Sequence, residues 1–179
     1  MPSLGRKLLL AGIGGLNITH AEPAPAFLAR YADASPQLAP MLSAFDAQAL
    51  REWVHGLGVQ TFVGSSGRVF PQEMKAAPLL RRWLQRLRGL GLQIHTRHRW
   101  SGWRGEGDLV FAGPTGERRV RAGVTVLALG GGSWARLGSD GAWMPWLAAR
   151  GVALSALRPA NCGFEAAWSP ILQQRAGSP

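Results

Sequence analysis

Residues 124–133 read VTVLALGGGS, and this stretch decides the fold class that the sequence predicts. Val124 to Leu129 is continuously apolar and β-branched at its start, as expected of a strand covered on both faces. The predicted strand runs directly into Gly130, Gly131 and Gly132. A parallel sheet needs several such strands, and this run alone has that character, so the sequence predicts only part of a sheet.

Predicted helices and short strands surround this segment. Apolar residues recur at helical spacing from Ser35 to Gly58, and Pro40 disfavours one unbroken helix there. We therefore expect a short helix and then a longer one, capped near Ser43 or Asp46. Residues 1–26 show no sustained period and are predicted to be an irregular loop. The other predicted elements are an amphipathic helix Lys75–Leu90, strands Leu92–Thr96, Arg99–Arg104, Asp108–Ala112 and Glu117–Arg121, a turn Gly113–Gly116, and a helix Ala142–Arg150 capped by Asp140. This order indicates α/β or α+β layering.

Composition excludes several classes of protein. The chain has 179 residues, of which 46% are hydrophobic and 17% are charged, which excludes a disordered or collagen-like chain. A single cysteine, Cys162, excludes a disulfide framework and a zinc module built on several cysteines. It also favours a reducing compartment, the cytoplasm. No apolar run has the length of a membrane-spanning helix, and no metal site is predicted.

The net charge of +10 raises the possibility of nucleic-acid binding. Its densest cluster consists of Arg81, Arg82, Arg86 and Arg88, all within the predicted amphipathic helix. Because leucines and a tryptophan alternate with them at helical spacing, the arginines are better explained as the solvated face of that helix. A small basic nucleic-acid-binding module remains the alternative.

Two glycine-rich loops could carry chemistry, because glycine lets backbone N–H groups approach a phosphate or a ring. The first, Gly12 to Asn17, nearly matches a dinucleotide fingerprint, but Pro23 and Pro25 prevent the long helix that should follow. The second, Gly130 to Ser133, follows the predicted strand and is equally consistent with a structural turn. No acid–base pair lies beside Ser133, so no catalytic residue is predicted.

Histidines and the lone thiol are weaker candidates. His95 and His98 lie three residues apart on what is predicted to be extended chain, so they would point to opposite faces and could not share a metal. Cys162 is better explained as a buried core thiol than as a nucleophile.

The glycine loops belong to a series of short blocks that follow one another along the chain: Gly5–Leu8, Ala11–Thr19, Gly67–Pro71 with Lys75-Ala76, Ala128–Trp134, Gly138–Gly141 and Arg158–Phe164. Taken in order, these blocks resemble the bacterial aminoacetone-oxidase-like FAD-binding flavoproteins, often called NAD(P)/FAD-dependent oxidoreductases. The resemblance covers about residues 2–169.

This resemblance implies a partial glutathione-reductase-type FAD-binding domain of the α/β class, with a small antiparallel β element and packed helices. It places Arg6 and Lys7 near the ribose and phosphates of FAD. It also implies that Gly12, Gly14, Gly15 and Asn17 line the flavin, and that Gly131 and Gly132 pass close to the same cofactor. A small organic substrate is implied, with NAD(P)H as a possible electron donor.

The sequence also departs from the family pattern. Ile13, Gly15-Leu16 and Ala135 replace residues that are usual in the family, and no strand–GxGxxG–helix unit precedes these blocks. We therefore expect an internal fragment, with a partial FAD-binding domain at residues 1–168 and a disordered or truncated tail at 169–179. Such a fragment is expected to bind FAD weakly or not at all.

Overall fold

A computed structural model of the chain describes residues 3–105, 107–158 and 169. They belong to two compact units, one comprising Met1–Arg99 with Ala112–Arg118 and the other Trp100–Phe111 with Arg119–Pro179. Most of the Arg158–Phe164 block, Cys162 and nearly all of the tail lie outside the described residues.

The elements in chain order are α1 Arg6–Ala11, β1 Thr19–His20, α2 Ala24–Ala29, a 3₁₀ turn Ala32–Ala34, α3 Ser35–Ala44, α4 Ala47–Gly56, β2 Thr61–Val63, β3 Arg68–Pro71, α5 Ala76–Gly89, β4 Arg99–Arg104, β5 Asp108–Gly113, β6 Gly116–Val120, a 3₁₀ turn Ala135–Leu137 and α6 Met144–Ala148.

The first unit is organised around a small antiparallel sheet in the order β1-β3-β2. β3 is central: Val69 lies opposite Thr19 of β1 and Val63 of β2, and its side chain is fully buried. The helices build the core beside this sheet. The buried core residues are Leu16, Val54, Leu57, Val59, Ala76 and Leu79, with Leu8, Ile18, Leu50 and Trp53 packed against them.

Helix α4 begins where the sequence predicts a cap. The Asp46 side chain accepts a hydrogen bond of 2.7 Å from the backbone N–H of Ala49, which satisfies one of the otherwise unpaired donors at a helix start. The prediction that a short helix precedes a longer one is wrong, because α3 and α4 each have 10 residues and Pro40 lies inside α3. Its backbone accommodates the proline without breaking into two helices.

Helix α5 agrees with its prediction to within one residue at each end. It ends at Gly89, and the chain then turns through Gly91, whose φ of 85° is readily adopted by glycine. Its apolar face packs on α4, where the rings of Trp53 and Trp83 meet edge to face with centroids 5.2 Å apart. These two tryptophans therefore serve packing, as their helical spacing predicts.

The second sheet has the order β4-β5-β6. Its strands agree with three of the four predicted short strands, and Pro114-Thr115 form the predicted tight turn between β5 and β6. The fourth prediction, Leu92–Thr96, is wrong, since this segment forms no strand. Helix α6 is shorter than predicted, and Asp140 accepts from Ala142 N–H before the helix begins.

The central prediction of a buried strand at Val124–Leu129 is also wrong. These residues form no strand in the structure, and the side chains of Val124 and Val126 are 86% and 85% exposed. No strand among the described residues pairs with them. Residues with high β propensity form a strand only where they can pair with a neighbouring strand and be buried. An apolar, β-branched run without such a neighbour therefore does not form a strand.

The opening of the chain is more ordered than predicted. Residues 1–26 contain α1, β1 and the start of α2 instead of a single irregular loop. α1 has six residues, too few to be stable alone, and it packs against α5. Tertiary contact, which local periodicity does not reveal, therefore accounts for this helix. Within the described residues no helix combines the length and hydropathy needed to cross a bilayer.

The cap of α4 can be tested by substitution. Asp46→Ala removes the acceptor for Ala49 N–H and should lower the free energy of unfolding by about 1 kcal/mol. Asp46→Asn keeps an acceptor and should retain most of the stability. Urea denaturation followed by circular dichroism measures both variants. Equal losses in the two would show that the cap does not stabilise the helix.

Candidate functional site

The first glycine-rich loop follows α1 and forms a turn in the first unit. Gly14 and Gly15 have φ values of 85° and 138°, a region that favours glycine. The turn is fixed to the chain that precedes α5, because Leu16 N–H donates to the Met74 carbonyl at 3.2 Å. The next residues enter β1, and Ile18 N–H donates to the Val69 carbonyl of β3 at 2.8 Å.

Two glycines of this loop are needed for packing within the chain. A Cβ on Gly12 would lie 2.7 Å from the Cβ of Ala76, at the start of α5. A Cβ on Gly15 would lie 2.8 Å from Met74 Cε and 3.7 Å from the Phe70 ring. At both glycines, the space that a side chain would occupy is therefore already filled by the protein.

Gly14 differs from its neighbours. A Cβ there would meet nothing within 4 Å. In the described part of the chain, neither Gly14 N–H nor Asn17 N–H donates a hydrogen bond to the protein. Both residues are exposed. This edge of the turn thus offers two backbone donors and open space, which is what close approach of an anionic or aromatic ligand requires.

Arg6 and Lys7 form the start of α1, directly before this loop. Arg6 is half-buried, and within residues 3–105 and 107–158 its guanidinium has no hydrogen-bond or ion-pair partner. Lys7 is exposed and interacts with the protein. Gly5, in front of them, lies against the Leu80 side chain of α5, so α5 positions the start of α1.

The second loop belongs to the other unit. Gly130 has a φ of 75°, and its carbonyl accepts a 3.0 Å hydrogen bond from the indole of Trp143. A Cβ on Gly132 would lie 3.0 Å from Leu157 Cδ1, whereas a Cβ on Gly131 would meet nothing within 4 Å. Gly131 is therefore the counterpart of Gly14, a glycine that the packing of its own unit does not require.

Sequence blocks that are far apart meet within each unit. In the first unit, Ala11–Thr19 contacts both Gly67–Pro71 and the start of α5 through the contacts given above. In the second, Trp134 and Ser139 exchange two backbone hydrogen bonds of 3.0 and 3.1 Å, which joins Ala128–Trp134 to Gly138–Gly141. That Gly14 and Gly131 reach one cofactor stays a prediction.

Two residues beside the first loop were missed by sequence reasoning. Met74 has a φ of 56°, uncommon for a residue with a side chain, and its carbonyl and side chain both contact the loop. Phe70 packs on Gly15 and on Phe62, with ring centroids 5.8 Å apart. Phe70 lies in a block that the resemblance identified, whereas nothing in the sequence signals the backbone of Met74.

The arginine cluster of α5 is exposed, as expected for a solvated face, and one of its members also bonds to the protein. The Arg82 guanidinium donates to the carbonyls of Leu57, at 3.4 Å, and Gly58, at the end of α4. A cation suits the carbonyls at the end of a helix. Arg81, Arg86 and Arg88 are exposed, as expected for a solvated face. Arg82 thus already has a structural role, which reduces the cluster available to a polyanion.

The two histidines also differ from prediction. The chain turns at Thr96-Arg97, where Arg97 has a φ of 59°, and the rings of His95 and His98 meet edge to face with centroids 5.6 Å apart. The prediction that they point to opposite faces is wrong, because the segment is a turn. No group of three or more metal-ligating side chains occurs among the described residues.

One ion pair in the first unit shifts a pKa. Both oxygens of Glu22 accept hydrogen bonds from Arg30, at Nε and, at 2.8 Å, at Nη2. This hydrogen bonding, together with the charge of Arg30, lowers the pKa of Glu22 below its ordinary value. It likewise raises the pKa of Arg30. The pair joins the end of β1 to the end of α2.

With this geometry established, the chain can be compared with protein families. The model described as the HI0933-like protein Rossmann domain matches residues 1–163. The chain belongs to the HI0933-like family. This family is of the FAD-binding oxidoreductase type. The α/β class is confirmed, since the HI0933-like chain combines helices with small antiparallel sheets. No curated protein matches it.

The packing role of Gly12 can be separated from any ligand. In this HI0933-like chain, Gly12→Ala forces two Cβ atoms together and should lower the free energy of unfolding by about 1–3 kcal/mol without ligand. Ala76→Gly in the same chain should restore part of the loss. Gly56→Ala is the control, because a Cβ there meets nothing within 4 Å. Urea denaturation that shows equal stability for Gly12→Ala and Gly56→Ala would contradict the packing assignment.

The Glu22–Arg30 pair predicts a pH dependence. Because the pKa of Glu22 is lowered in the folded chain, its ion pair stabilises the fold at pH values above the ordinary Glu pKa of about 4.3. This stabilisation is lost as the pH falls through the lowered pKa. The unfolding free energies of wild type and Glu22→Gln should therefore differ at about pH 6 and converge towards about pH 3. Urea titrations at several pH values measure the difference.

The matched control for this pH series is Glu73→Gln. Glu73 is an exposed carboxylate with no hydrogen-bond or ion-pair partner in the described part of the chain. Its substitution should leave the unfolding free energy at pH 6 unchanged. A Glu22→Gln difference that stays constant down to low pH would mean that the ion pair does not contribute.

Proposed function

We propose that this chain contributes part of the FAD site of an aminoacetone-oxidase-like flavoprotein oxidoreductase. The observation that supports the proposal most is the turn at Gly14. Three separate stretches, Gly12–Thr19, Gly67–Pro71 and Met74–Ala76, meet there, and they hold the turn with its backbone donors at an open edge. A turn that is anchored on one side and open on the other suits a ligand that approaches the main chain.

Some of the residues predicted to contact FAD have open space beside their backbone, and others are packed against the protein. Gly14, Asn17 and Gly131 have open faces and backbone N–H groups that could donate to the cofactor. Gly12, Gly15 and Gly132 are packed against their own units, so we assign them the support of the loops. Arg6 and Lys7 supply positive charge for the pyrophosphate. When bound, FAD supplies the electron-transfer chemistry, and the chain supplies orientation and electrostatics.

Weak affinity is part of the proposal. Dinucleotide-binding folds hold the pyrophosphate on a strand, a glycine-rich turn and a helix in direct succession. Within residues 3–105 and 107–158, the first glycine loop follows a helix and leads into a strand, and the second leads into a 3₁₀ turn. Neither arrangement directs the start of a long helix at a phosphate, so the loops alone provide fewer donors.

A small organic molecule is proposed as the substrate, with NAD(P)H as a possible electron donor and the cytoplasm as the location. No acid–base residue is assigned. The alternative, a basic nucleic-acid-binding module, gains nothing from the structure, because Arg82 is already bonded to the carbonyls of Leu57 and Gly58, just after α4. The flavoprotein proposal therefore takes precedence.

Gly131→Val tests the proposal. The backbone of Gly131 has no positive φ that requires glycine, and a Cβ there meets no atom within 4 Å, so the folded state should be about as stable as in wild type. In the proposed site, the same side chain would occupy the space through which FAD approaches the backbone of Gly131. We expect saturable but weak FAD binding by the wild-type chain and at least a tenfold weaker affinity in Gly131→Val, measured by flavin fluorescence.

Gly123→Val is the matched control for this titration. Gly123 is exposed in the same unit, requires no positive φ and likewise has open space around it. It should bind FAD as wild type does. If the wild-type chain shows no saturable FAD binding, or if both valine variants bind like wild type, the proposal is wrong.

A further inference from the structure

A cavity of about 670 Å³ lies in the first unit, apart from the residues proposed to contact FAD. Its walls come from the end of β1, from α2, from the second half of α3 and from the first turns of α4. Phe27, Leu28 and Leu42 supply apolar surface. Its volume lies within the range of small-molecule sites, which is about 300–1,000 Å³.

Most of the charged and titratable groups around this cavity already have partners within the chain. Glu22 is bonded through both oxygens to Arg30. Asp46 caps α4 and compensates the partial positive charge at its start. Both ring nitrogens of His20 already have partners in the chain, because Nδ1 accepts from Glu22 N–H at 3.1 Å and Nε2 lies 3.0 Å from the Ser66 carbonyl.

Arg51 is different from these groups. It lines the cavity, is half-buried, and uses only Nε for a long hydrogen bond of 3.4 Å to the Thr61 hydroxyl. Its Nη groups have no acceptor among the described residues, and no carboxylate forms an ion pair with it there. A partly buried guanidinium with unused donors favours a carboxylate, which can accept two parallel hydrogen bonds.

We propose that this cavity binds a small organic acid, with the carboxylate on Arg51 and an apolar body against Phe27, Leu28 and Leu42. The combination of one uncompensated cation and an apolar wall selects for this class of ligand over neutral or cationic compounds of the same size. The proposal does not rest on FAD binding, since none of these residues belongs to the glycine loops.

Three probes of equal apolar length separate charge from hydrophobicity. Octanoate, octanol and octylammonium are titrated into the full chain, and binding is followed by ¹H–¹⁵N NMR. Octanoate should bind at least tenfold more tightly than octanol, and octylammonium should bind more weakly than octanol. The shifts should centre on the backbone amides of Leu42, Ser43 and Gln48. Equal affinity of octanoate and octylammonium, shifts elsewhere, or no saturable binding of octanoate would overturn the proposal.

Variants then assign the charge to Arg51. Arg51→Gln should reduce octanoate affinity about tenfold and leave octanol affinity unchanged, whereas Arg51→Lys should retain part of the octanoate preference. Thr61→Val is the control for structure, because it removes the hydroxyl that is bonded to both Arg51 and His55 and keeps the cation. Octanoate affinity that survives Arg51→Gln, or that falls equally in Thr61→Val, would show that the guanidinium does not bind the carboxylate.

Discussion

The first unit depends on the pairing of β3 with strands on both of its sides. Val69 is fully buried and lies between β1 and β2. The strands are short, with two to four residues each, so few ladder hydrogen bonds hold them together. Additional bonds at the strand ends extend the pairing, from Ile18 to Val69 and from Ala21 to Gly67. Since isolated short hairpins are marginal in water, packing of this sheet beside the helical core is what makes the pairing stable.

The pairing of β1 with β3 positions both the first glycine loop and one wall of the cavity. On one side of β1, the chain that enters it is the glycine loop, and the register Thr19 to Val69 sets where Gly14 lies. On the other side, the chain that leaves β1 forms a wall of the cavity, and His20 is held there by the Ser66 carbonyl. Gly67 is needed in that contact, because a Cβ would lie 2.6 Å from the His20 ring. A change in β3 would therefore disturb both surfaces.

Local chemistry made some elements predictable from the sequence. The cap Asp46, the amphipathic period of α5 and the Gly113–Gly116 turn each act within a few residues of chain, and all three occur as predicted. Val124–Leu129 and α1 were mispredicted for the opposite reason. A strand forms only beside another strand, and α1 forms only beside α5, so their outcomes depend on partners far away in sequence. The same limit explains why the sequence did not reveal the bonds of Arg82, which is exposed as predicted but also donates to the carbonyls of Leu57 and Gly58 just after α4.

A glycine-rich sequence motif predicts where a loop lies, but it does not predict which of its glycines contact a ligand and which serve packing. Gly12, Gly14 and Gly15 are identical in sequence terms, yet their surroundings differ. At Gly12, a side chain would collide with Ala76. At Gly15, a side chain would collide with Met74, and the positive φ also favours glycine. At Gly14, only the positive φ favours glycine. A glycine with open space beside it lets a ligand approach the backbone, whereas at the other glycines protein atoms fill that space. The cofactor-binding prediction therefore rests most on Gly14 and Gly131, while the remaining glycines keep these two in place.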